Sequence, residues 1–200
     1  MKKIIFATGN QHKLEEIRAI LPGFDIISAK EAGVSLDIEE TGTTFKENAY
    51  IKAKAIWDIT GGIVMSDDSG LEVDYIGGEP GVYSSRYMGE DTSYTIKNQN
   101  IIDRLKNASG NERSARFKAS ICAILEDGTT LFCEGSMEGL IATQISGSNG
   151  FGYDPILYLP EYQKTSAEIS PEEKNKISHR GKALTAMKQK LGEIYENIDC

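Results

Sequence analysis

The stretch Ser66-Asp67-Asp68-Ser69-Gly70 lies between two apolar runs, at residues 63–65 and 71–73, and is the most informative part of the chain. The pattern predicts a strand on each side and a break between the strands at the acidic pair. Adjacent carboxylates repel and raise each other's pKa, so a positive charge should lie nearby. A divalent cation is one candidate for that charge. The alternative is an acidic turn in which Asp67 or Asp68 only caps backbone N–H groups.

Length and composition suit one domain, with room for two lobes around one core. The chain has 200 residues, of which 40% are hydrophobic and 26% charged, as in ordinary soluble globular proteins. No apolar run approaches the roughly 18 residues of a membrane span, and the run after Lys2 and Lys3 is too short for a signal-peptide core. We therefore expect a cytoplasmic protein. A net charge of −8 argues against a dedicated DNA- or RNA-binding protein, which needs a basic face.

A candidate anion site lies at the amino terminus. A strand at residues 4–7 leads through Gly9 into a helix for which Asn10 is a good N-cap. Free N–H groups and the helix dipole at such a helix start both favour a bound anion. Lys13 in the first turn opposes the dipole, and a bound anion would relieve that conflict. An ordinary strand-to-helix connection is the alternative.

A second helix is predicted after an acidic loop. The loop contains Glu39 and Glu40, and the helix begins with a capping box at residues 44–47 and ends at Gly61. Lysines within such a helix usually lie on the solvated face, and we expect this of Lys52 and Lys54.

The rest of the pattern predicts a mixed sheet. We expect a strand at residues 25–28, a helix at 94–107, a hairpin at 116–125 and 130–137, a strand at 140–142, a short helix from Ser170, and a final helix that Gly181 separates from it. Strands and helices alternate in the first half, whereas a long antiparallel hairpin occupies the second. The predicted fold class is α/β, a mixed elongated β-sheet with flanking helices that form two lobes around a central cleft.

The cysteines are Cys122, Cys133 and Cys200, too few and too spread for a zinc cluster or a disulfide framework. Cys122 and Cys133 flank Asp127-Gly128, and a two-residue turn there would place them directly opposite each other. In a reducing cytosol we expect free, packed thiols.

A second unusual stretch is the loop at residues 146–155, where glycines surround Phe151 and Tyr153. Glycines allow close backbone approach, and an aromatic side chain on such a loop can stack on a flat ring. Pro155 should hold Asp154 extended. The alternative is a wide turn whose Phe151 fills the core.

These features together suit a nucleotide that carries several phosphates. The helix start and the cations would hold phosphate, the carboxylates would hold Mg²⁺, and the aromatic ring would stack on the base. Lys174, His179 and Arg180 add a late group of basic residues in a mostly acidic chain.

Six motifs occur together in the order and spacing of one family. They are Thr8-Gly9-Asn10-Gln11-His12-Lys13, Glu39-Glu40-Thr41-Gly42, Phe45-Lys46-Glu47-Asn48-Ala49, Asp67-Asp68-Ser69-Gly70, Gly150-Phe151-Gly152-Tyr153-Asp154-Pro155 and Ser178-His179-Arg180-Gly181. Each motif is weak alone, but the ordered series is specific and runs from the first strand to the last helix. The chain resembles the inosine triphosphate pyrophosphatases, which act on non-canonical purine nucleoside triphosphates.

The resemblance implies hydrolysis of ITP, dITP and XTP to the monophosphate and pyrophosphate. It also implies Mg²⁺ dependence, a homodimer, and a single domain over residues 1–200 with two lobes. By position, Asp68 resembles the general base that activates water at the α-phosphate, and Glu39 and Asp68 resemble the metal ligands. The residues that resemble the phosphate and ribose contacts are Thr8, Gly9, Asn10, Gln11, His12, Lys13 and Ser69. Those that resemble the base pocket are Phe151, Gly152, Tyr153, Asp154, Lys174, His179 and Arg180.

Two alternatives stay open at the level of sequence. One is a related nucleotide pyrophosphatase of the Maf type with pyrimidine substrates, and the other is a nucleotide-sensing module that binds Mg²⁺–NTP without turnover. Release of pyrophosphate would separate the sensor from either enzyme, and a substrate panel would separate the enzymes.

Overall fold

The computed structural model describes residues 1–35 and 37–195, which contain seven strands and five α-helices. Along the chain these are β1 (Lys3–Phe6), α1 (Gln11–Ile20), β2 (Asp25–Ser28), α2 (Phe45–Thr60), β3 (Ile63–Val73), α3 (Tyr94–Arg104), β4 (Ser114–Ile124), β5 (Thr130–Ile141), β6 (Leu157–Leu159), β7 (Lys164–Thr165), α4 (Pro171–Ile177) and α5 (His179–Ile194). The strand order is β2-β1-β3-β4-β5-β6-β7. Strand β1 is parallel to β2 and β3, whereas β6 is antiparallel to β5 and β7. The predicted mixed α/β fold class is therefore confirmed.

The chain divides into two compact units. Unit 1 comprises Met1–Asp68, Ala119–Gly135 and the segment that begins at His179, and unit 2 comprises Ser69–Lys118 and Ser136–Ser178. The expectation of a single domain with two lobes around a cleft stays a prediction. Within the described part of the chain, no helix is long and apolar enough to cross a membrane.

Strand β3 is covered on both faces within unit 1. Successive side chains of a strand point to opposite faces. Ile63 and Met65 accordingly pack in a cluster with residues of α1 and α5, whereas Val64 packs in a second cluster with Ala53 and Ile56 of α2. Burying each large apolar side chain contributes about 1.5–3 kcal/mol, so these two clusters fix β3 between its helices.

The predicted break at the acidic pair was wrong. Strand β3 runs without interruption for 11 residues, and Asp67 and Asp68 are buried in its middle. The strand can continue because cationic side chains from distant parts of the chain neutralise both carboxylates, as described below. A local pattern of residues cannot show that compensation.

Helix starts follow the sequence more closely than helix ends. The Asn10 side chain accepts hydrogen bonds from the N–H groups of His12 and Lys13, and the predicted capping box of α2 is present. The prediction that Gly181 separates the last two helices was wrong, because Gly181 lies inside α5. The separation falls at Ser178, whose backbone is extended and whose N–H closes the last turn of α4 on Lys174.

Asp154 is not extended, contrary to the sequence-based expectation. It begins a short 3₁₀ turn, Asp154–Ile156, with Pro155 at one of its first positions. Proline is favoured there because the first residues of a helix have no intrahelical use for their N–H groups.

The prediction that Cys122 and Cys133 are free, buried thiols is confirmed, whereas the prediction that they lie directly opposite each other was wrong. Cys122 and Cys133 are free and buried, but they belong to different apolar clusters. The hairpin loop has three residues between Leu125 and Thr129, closed by a hydrogen bond from the Leu125 N–H to the Thr129 carbonyl, with Gly128 at a φ of 86°. An odd loop shifts the register by one, and the two side chains then face opposite sides. Cys200 lies outside the described residues.

Strand β5 is longer than predicted because it includes the segment expected as a separate strand. Gly135 in this strand allows the first turn of α5 to approach. A Cβ at this position would overlap the carbonyl oxygen of His179 and lie 3.0 Å from the backbone N of Ala183.

Replacement of Gly135 by alanine should therefore lower the free energy of unfolding by about 2–3 kcal/mol, the usual cost of overpacking. Urea unfolding measures the change. The neighbouring Glu134→Ala variant is the control, since Glu134 is exposed and its removal should change stability by less than about 0.5 kcal/mol. Equal unfolding free energies for the two variants would contradict the close approach.

Candidate active site

Asp67 is a buried anion held by two cations of unit 1. Its side chain is 1% exposed, and its Oδ2 atom accepts hydrogen bonds from Lys13 Nζ at 3.0 Å and from Arg180 Nε and Nη2, each at 3.2 Å. Arg180 also pairs with Glu16 of α1. Burial by itself would raise the pKa of Asp67, but the charges of Lys13 and Arg180 outweigh it and hold the pKa well below its usual value. The two ion pairs therefore favour the ionised form of Asp67.

Lys13 joins this carboxylate to the start of α1. Burial lowers the pKa of Lys13, while the charge of Asp67 opposes that shift. The residues just before it are accessible, since Gly9, Asn10 and Gln11 are exposed. The structure thus brings a lysine beside an exposed helix start, which is the arrangement that favours a phosphate.

Asp68 has a different environment from its neighbour. Its Oδ1 atom accepts a hydrogen bond from Lys52 Nζ at 3.3 Å, and the same Nζ donates to Glu40 Oε1 at 2.6 Å. Within the described residues, Asp68 Oδ2 is buried and has no hydrogen-bond partner. Burial raises the pKa of Asp68, with Lys52 acting in the opposite direction. Asp68 therefore offers an uncommitted carboxylate oxygen with increased affinity for a proton.

The two adjacent carboxylates thus have pKa values shifted in opposite directions. Such divergence is a common feature of sites where one acid supports the geometry and the other exchanges a proton. Asp67 suits the first role because it holds Lys13 and Arg180, and Asp68 suits the second.

The prediction that Lys52 lies on a solvated face was wrong. Its side chain is only 13% exposed and contacts two carboxylates. Burial would lower the pKa of Lys52, but the charges of Asp68, Asp67 and Glu40 together raise it. A signal was present in the sequence, because Lys52 follows Ala49 by three residues and precedes Ile56 by four, which places it beside the buried stripe of α2.

The second acidic pair contributes unequally. Glu40 is half-buried against Lys52, whereas Glu39 is exposed. The loop that carries both residues is fastened to α2, because the Gly42 N–H donates to Asn48 Oδ1 at 2.8 Å. Sequence reasoning left open whether Glu40 ligates a metal, and it assigned no role to Asn48.

Asp68 is the carboxylate in unit 1 best suited to bind a divalent cation, because its Oδ2 atom has no hydrogen-bond partner among the described residues. Among residues 1–35 and 37–195 no group of three or more His, Cys, Asp or Glu side chains gathers as a metal site. Mg²⁺ is commonly held by only one or two carboxylates together with substrate phosphates. The unpartnered, buried Oδ2 of Asp68 fits that mode, and the pairing of Glu39 with Asp68 as ligands stays a prediction.

Unit 2 contains the other group of predicted site residues, organised around Asp154. Its Oδ2 atom accepts hydrogen bonds from the Phe151 N–H and from Lys174 Nζ, both at 2.8 Å, and its Oδ1 atom accepts one from Ser166 Oγ at 2.7 Å. Lys174 Nζ also lies 5.1 Å from the centre of the Phe151 ring. Gly150 is required there, since its φ is 73° and a Cβ would overlap Asp154 Oδ2. Asp154 therefore fastens the loop that presents Phe151.

The two aromatic residues of this loop differ in position. Phe151 is half-buried, whereas Tyr153 belongs to the apolar core cluster of unit 2. The side chain that fills the core is thus Tyr153 and not Phe151.

The predicted site residues therefore form two sets. In unit 1 the structure brings Lys13, Asp68 and Arg180 together around Asp67, with His179 buried at the start of α5. In unit 2 it brings together Phe151, Asp154 and Lys174. Ser69 directly follows Asp68 in β3.

The contrast between the two carboxylates predicts opposite costs of neutralising them. Asp67→Asn should lower the free energy of unfolding by about 3–5 kcal/mol, because it removes the negative charge that pairs with both buried cations, Lys13 and Arg180. Asp68→Asn should change it by less than about 1 kcal/mol, because burial already disfavours the Asp68 charge and Lys52 keeps Glu40 as a partner. Urea unfolding at neutral pH measures both, and equal losses would refute the assignment of different environments.

Comparison with known proteins adds an independent result. The model of the Ham1 family matches residues 4–190. The chain is 47% identical to the dITP/XTP pyrophosphatase of Clostridium perfringens, over 97% of this chain and 99% of that protein. It is 45% identical to the dITP/XTP pyrophosphatase of Bacillus licheniformis, over 96% of this chain and all of that protein.

The fold gives the same result. The structure of the Ham1 protein of Staphylococcus aureus superposes with a TM-score of 0.88 at 39% identity, covering 96% of this chain and all of that chain. The family resemblance seen in the six motifs is thereby confirmed. With matches that extend over nearly the whole sequence and the whole fold, this chain belongs to the Ham1 family.

Proposed function

We propose that this protein is a nucleoside-triphosphate pyrophosphatase that hydrolyses the non-canonical purine nucleotides ITP, dITP and XTP to the monophosphate and pyrophosphate. The observation that carries the proposal is Asp68, a buried carboxylate whose Oδ2 has no hydrogen-bond partner among the described residues and whose Oδ1 meets Lys52. Relatives named dITP/XTP pyrophosphatases, at 45–47% identity, support the reaction and the substrate class.

The chemistry assigned to the chain is proton transfer and charge compensation. Asp68 takes a proton from a water molecule that attacks the α-phosphorus, and the bond from that phosphorus to the oxygen bridging to the β-phosphate breaks. Pyrophosphate leaves with that oxygen and the bonding electrons. Lys13 and the start of α1 hold the phosphates, as do the neighbouring residues Thr8, Gly9, Asn10, Gln11, His12 and Ser69. Phosphoryl transfer depends mainly on such positioning and electrostatic stabilisation.

Mg²⁺ is the proposed cofactor, with Glu39 and Asp68 as its ligands. When bound, the ion would neutralise charge on the phosphates. The buried Oδ2 atom of Asp68, which has no hydrogen-bond partner among the described residues, supports Asp68 as a ligand.

The base is assigned to the loop at residues 150–154, which presents Phe151, and to Lys174 beside it. Phe151 would stack on the purine, and Lys174 or backbone N–H groups would donate to the 6-oxo group of hypoxanthine or xanthine. The family resemblance also assigns Gly152, Tyr153, Asp154, His179 and Arg180 to base recognition, and these roles stay predictions. Adenine carries a 6-amino group, so it would leave such a donor unpaired, at a cost of roughly 1–3 kcal/mol or more for a charged donor.

The assembly and location are also proposals. We infer a homodimer, because the family resemblance implies one and because Tyr83, Met88 and Ile96 expose apolar surface on unit 2. We place the enzyme in the cytoplasm, where the nucleoside triphosphates used in synthesis are found. Sedimentation of the purified protein tests the dimer directly.

Removal of the proposed base predicts a loss of turnover without a loss of folding. Asp68→Asn should lower kcat for ITP by about 10²-fold or more, the scale of a lost general base. The control is Asp58→Asn, since Asp58 pairs with Lys54 on the exposed face of α2 and its loss should leave kcat unchanged. Near-normal turnover of Asp68→Asn at saturating Mg²⁺ would exclude Asp68 as the base.

A substrate panel tests the proposed function as a whole. Pyrophosphate release, followed as phosphate after addition of inorganic pyrophosphatase, should give kcat/KM for ITP at least about 10²-fold above that for ATP. Comparable values for ITP and ATP would refute the base pocket and leave the pyrophosphatase chemistry standing. Binding of ITP without release of pyrophosphate would indicate a nucleotide sensor instead, and a preference for pyrimidines would indicate the Maf type.

A further inference from the structure

The Tyr153 hydroxyl makes a hydrogen bond inside the core of unit 2. The side chain is 4% exposed, and its hydroxyl donates a hydrogen bond to the carbonyl oxygen of Ser84 at 2.7 Å. The ring meets that of Tyr94 edge to face, with centres 5.2 Å apart. A phenol enclosed in this way is committed to protein partners.

Ser84 is itself fixed to strand β3. Its Oγ atom accepts a hydrogen bond from the Leu71 N–H at 2.9 Å and donates one to the Gly81 carbonyl at 2.6 Å. Leu71 is fully buried in β3, three residues after Asp68. The Tyr153 hydroxyl therefore connects the loop at residues 150–154, here called the Phe151 loop, to a rigid strand.

A second hydrogen bond attaches the Phe151 loop at Gly152, the residue that follows Phe151. Asn98 of α3 donates through Nδ2 to the Gly152 carbonyl at 3.1 Å, and Asn98 is buried. Gly150 and Gly152 both have positive φ, at 73° and 67°. Glycines leave the backbone many alternatives, so the conformation of this loop depends on such attachments.

We propose that Tyr153 is a positioning residue that holds the Phe151 loop through Ser84, and that it acts on nucleotide affinity without contacting the nucleotide. The inference rests on the proposed function, in which Phe151 stacks on the base, and it reassigns Tyr153 from the pocket to its support. Asn98 has the same role through Gly152. Because the loop contributes to ground-state and transition-state binding alike, its loss of order should appear in KM and not in kcat.

The test compares Tyr153→Phe with Tyr87→Phe. Both remove one hydroxyl from unit 2, but the Tyr87 hydroxyl bonds to Asn100 and Arg104 and not to the Phe151 loop. Steady-state kinetics are measured with ITP and XTP, thermal unfolding is measured for each variant, and hydrogen exchange is followed in peptides that cover residues 146–155.

The expected result for Tyr153→Phe is a KM about tenfold higher for both nucleotides, the scale of one lost buried hydrogen bond, with kcat within about twofold. Exchange in residues 146–155 should become faster, while Tyr87→Phe leaves KM and this exchange unchanged. Asn98→Ala should likewise raise KM, leave kcat within about twofold and speed exchange in residues 146–155. It tests the attachment of the loop independently if Tyr153→Phe fails to fold.

Three results would overturn the proposal. An unchanged KM would show that the hydroxyl is not needed. A KM effect confined to one base, with unchanged exchange, would mean direct contact with the substrate. A fall in unfolding temperature with unchanged KM would mean a purely structural role. Absence of pyrophosphatase activity in the unmodified protein would instead reject the proposed function, and the exchange data would still decide whether the hydroxyl orders the loop.

Discussion

The ion pairs around Asp67 are the interaction on which unit 1 depends. Two adjacent carboxylates are buried in the middle of a continuous strand, an arrangement that would be prohibitive without compensation. Lys13 from α1 and Arg180 from α5 supply that compensation at Asp67, and Lys52 from α2 supplies it at Asp68. Three helices, α1, α2 and α5, therefore supply the positive charges that compensate the two carboxylates of β3.

The buried ion pairs of Asp67 fix the positions of Lys13 and Arg180 more than they raise the stability of the fold. A buried ion pair is weak evidence of net stabilisation, because desolvation offsets much of the attraction, but removal of one partner is costly. The cost keeps Lys13 and Arg180 at fixed points beside β3. Lys52 donates hydrogen bonds to both Asp68 and Glu40. The other carboxylate oxygen of Asp68 has no hydrogen-bond partner among the described residues. The same strand thus presents one carboxylate held by two cations and one with an oxygen that has no hydrogen-bond partner among the described residues.

In unit 2, polar contacts fix the position of a loop, whereas in unit 1 they fix side chains beside a strand. Glycines give the Phe151 loop its turns, and Asp154 closes it by accepting hydrogen bonds from the Phe151 N–H and Lys174. Attachments at Gly152 and Tyr153 then tie it to α3 and to the segment at Ser84. A flexible sequence becomes a defined surface because polar groups on both sides of Phe151 are satisfied.

Local chemistry in the sequence determined the mixed α/β class, the Asn10 cap, the capping box of α2 and the family, because caps, turns and ordered motifs depend on residues close together in the chain. Tertiary structure alone decided the continuity of β3, the burial of Lys52 and the core position of Tyr153. Each of these depends on a partner between 16 and 113 residues away, as in Lys52 with Asp68 and Arg180 with Asp67. Whether a charge or a hydroxyl can be buried is set by such partners, and they meet only when the chain is folded.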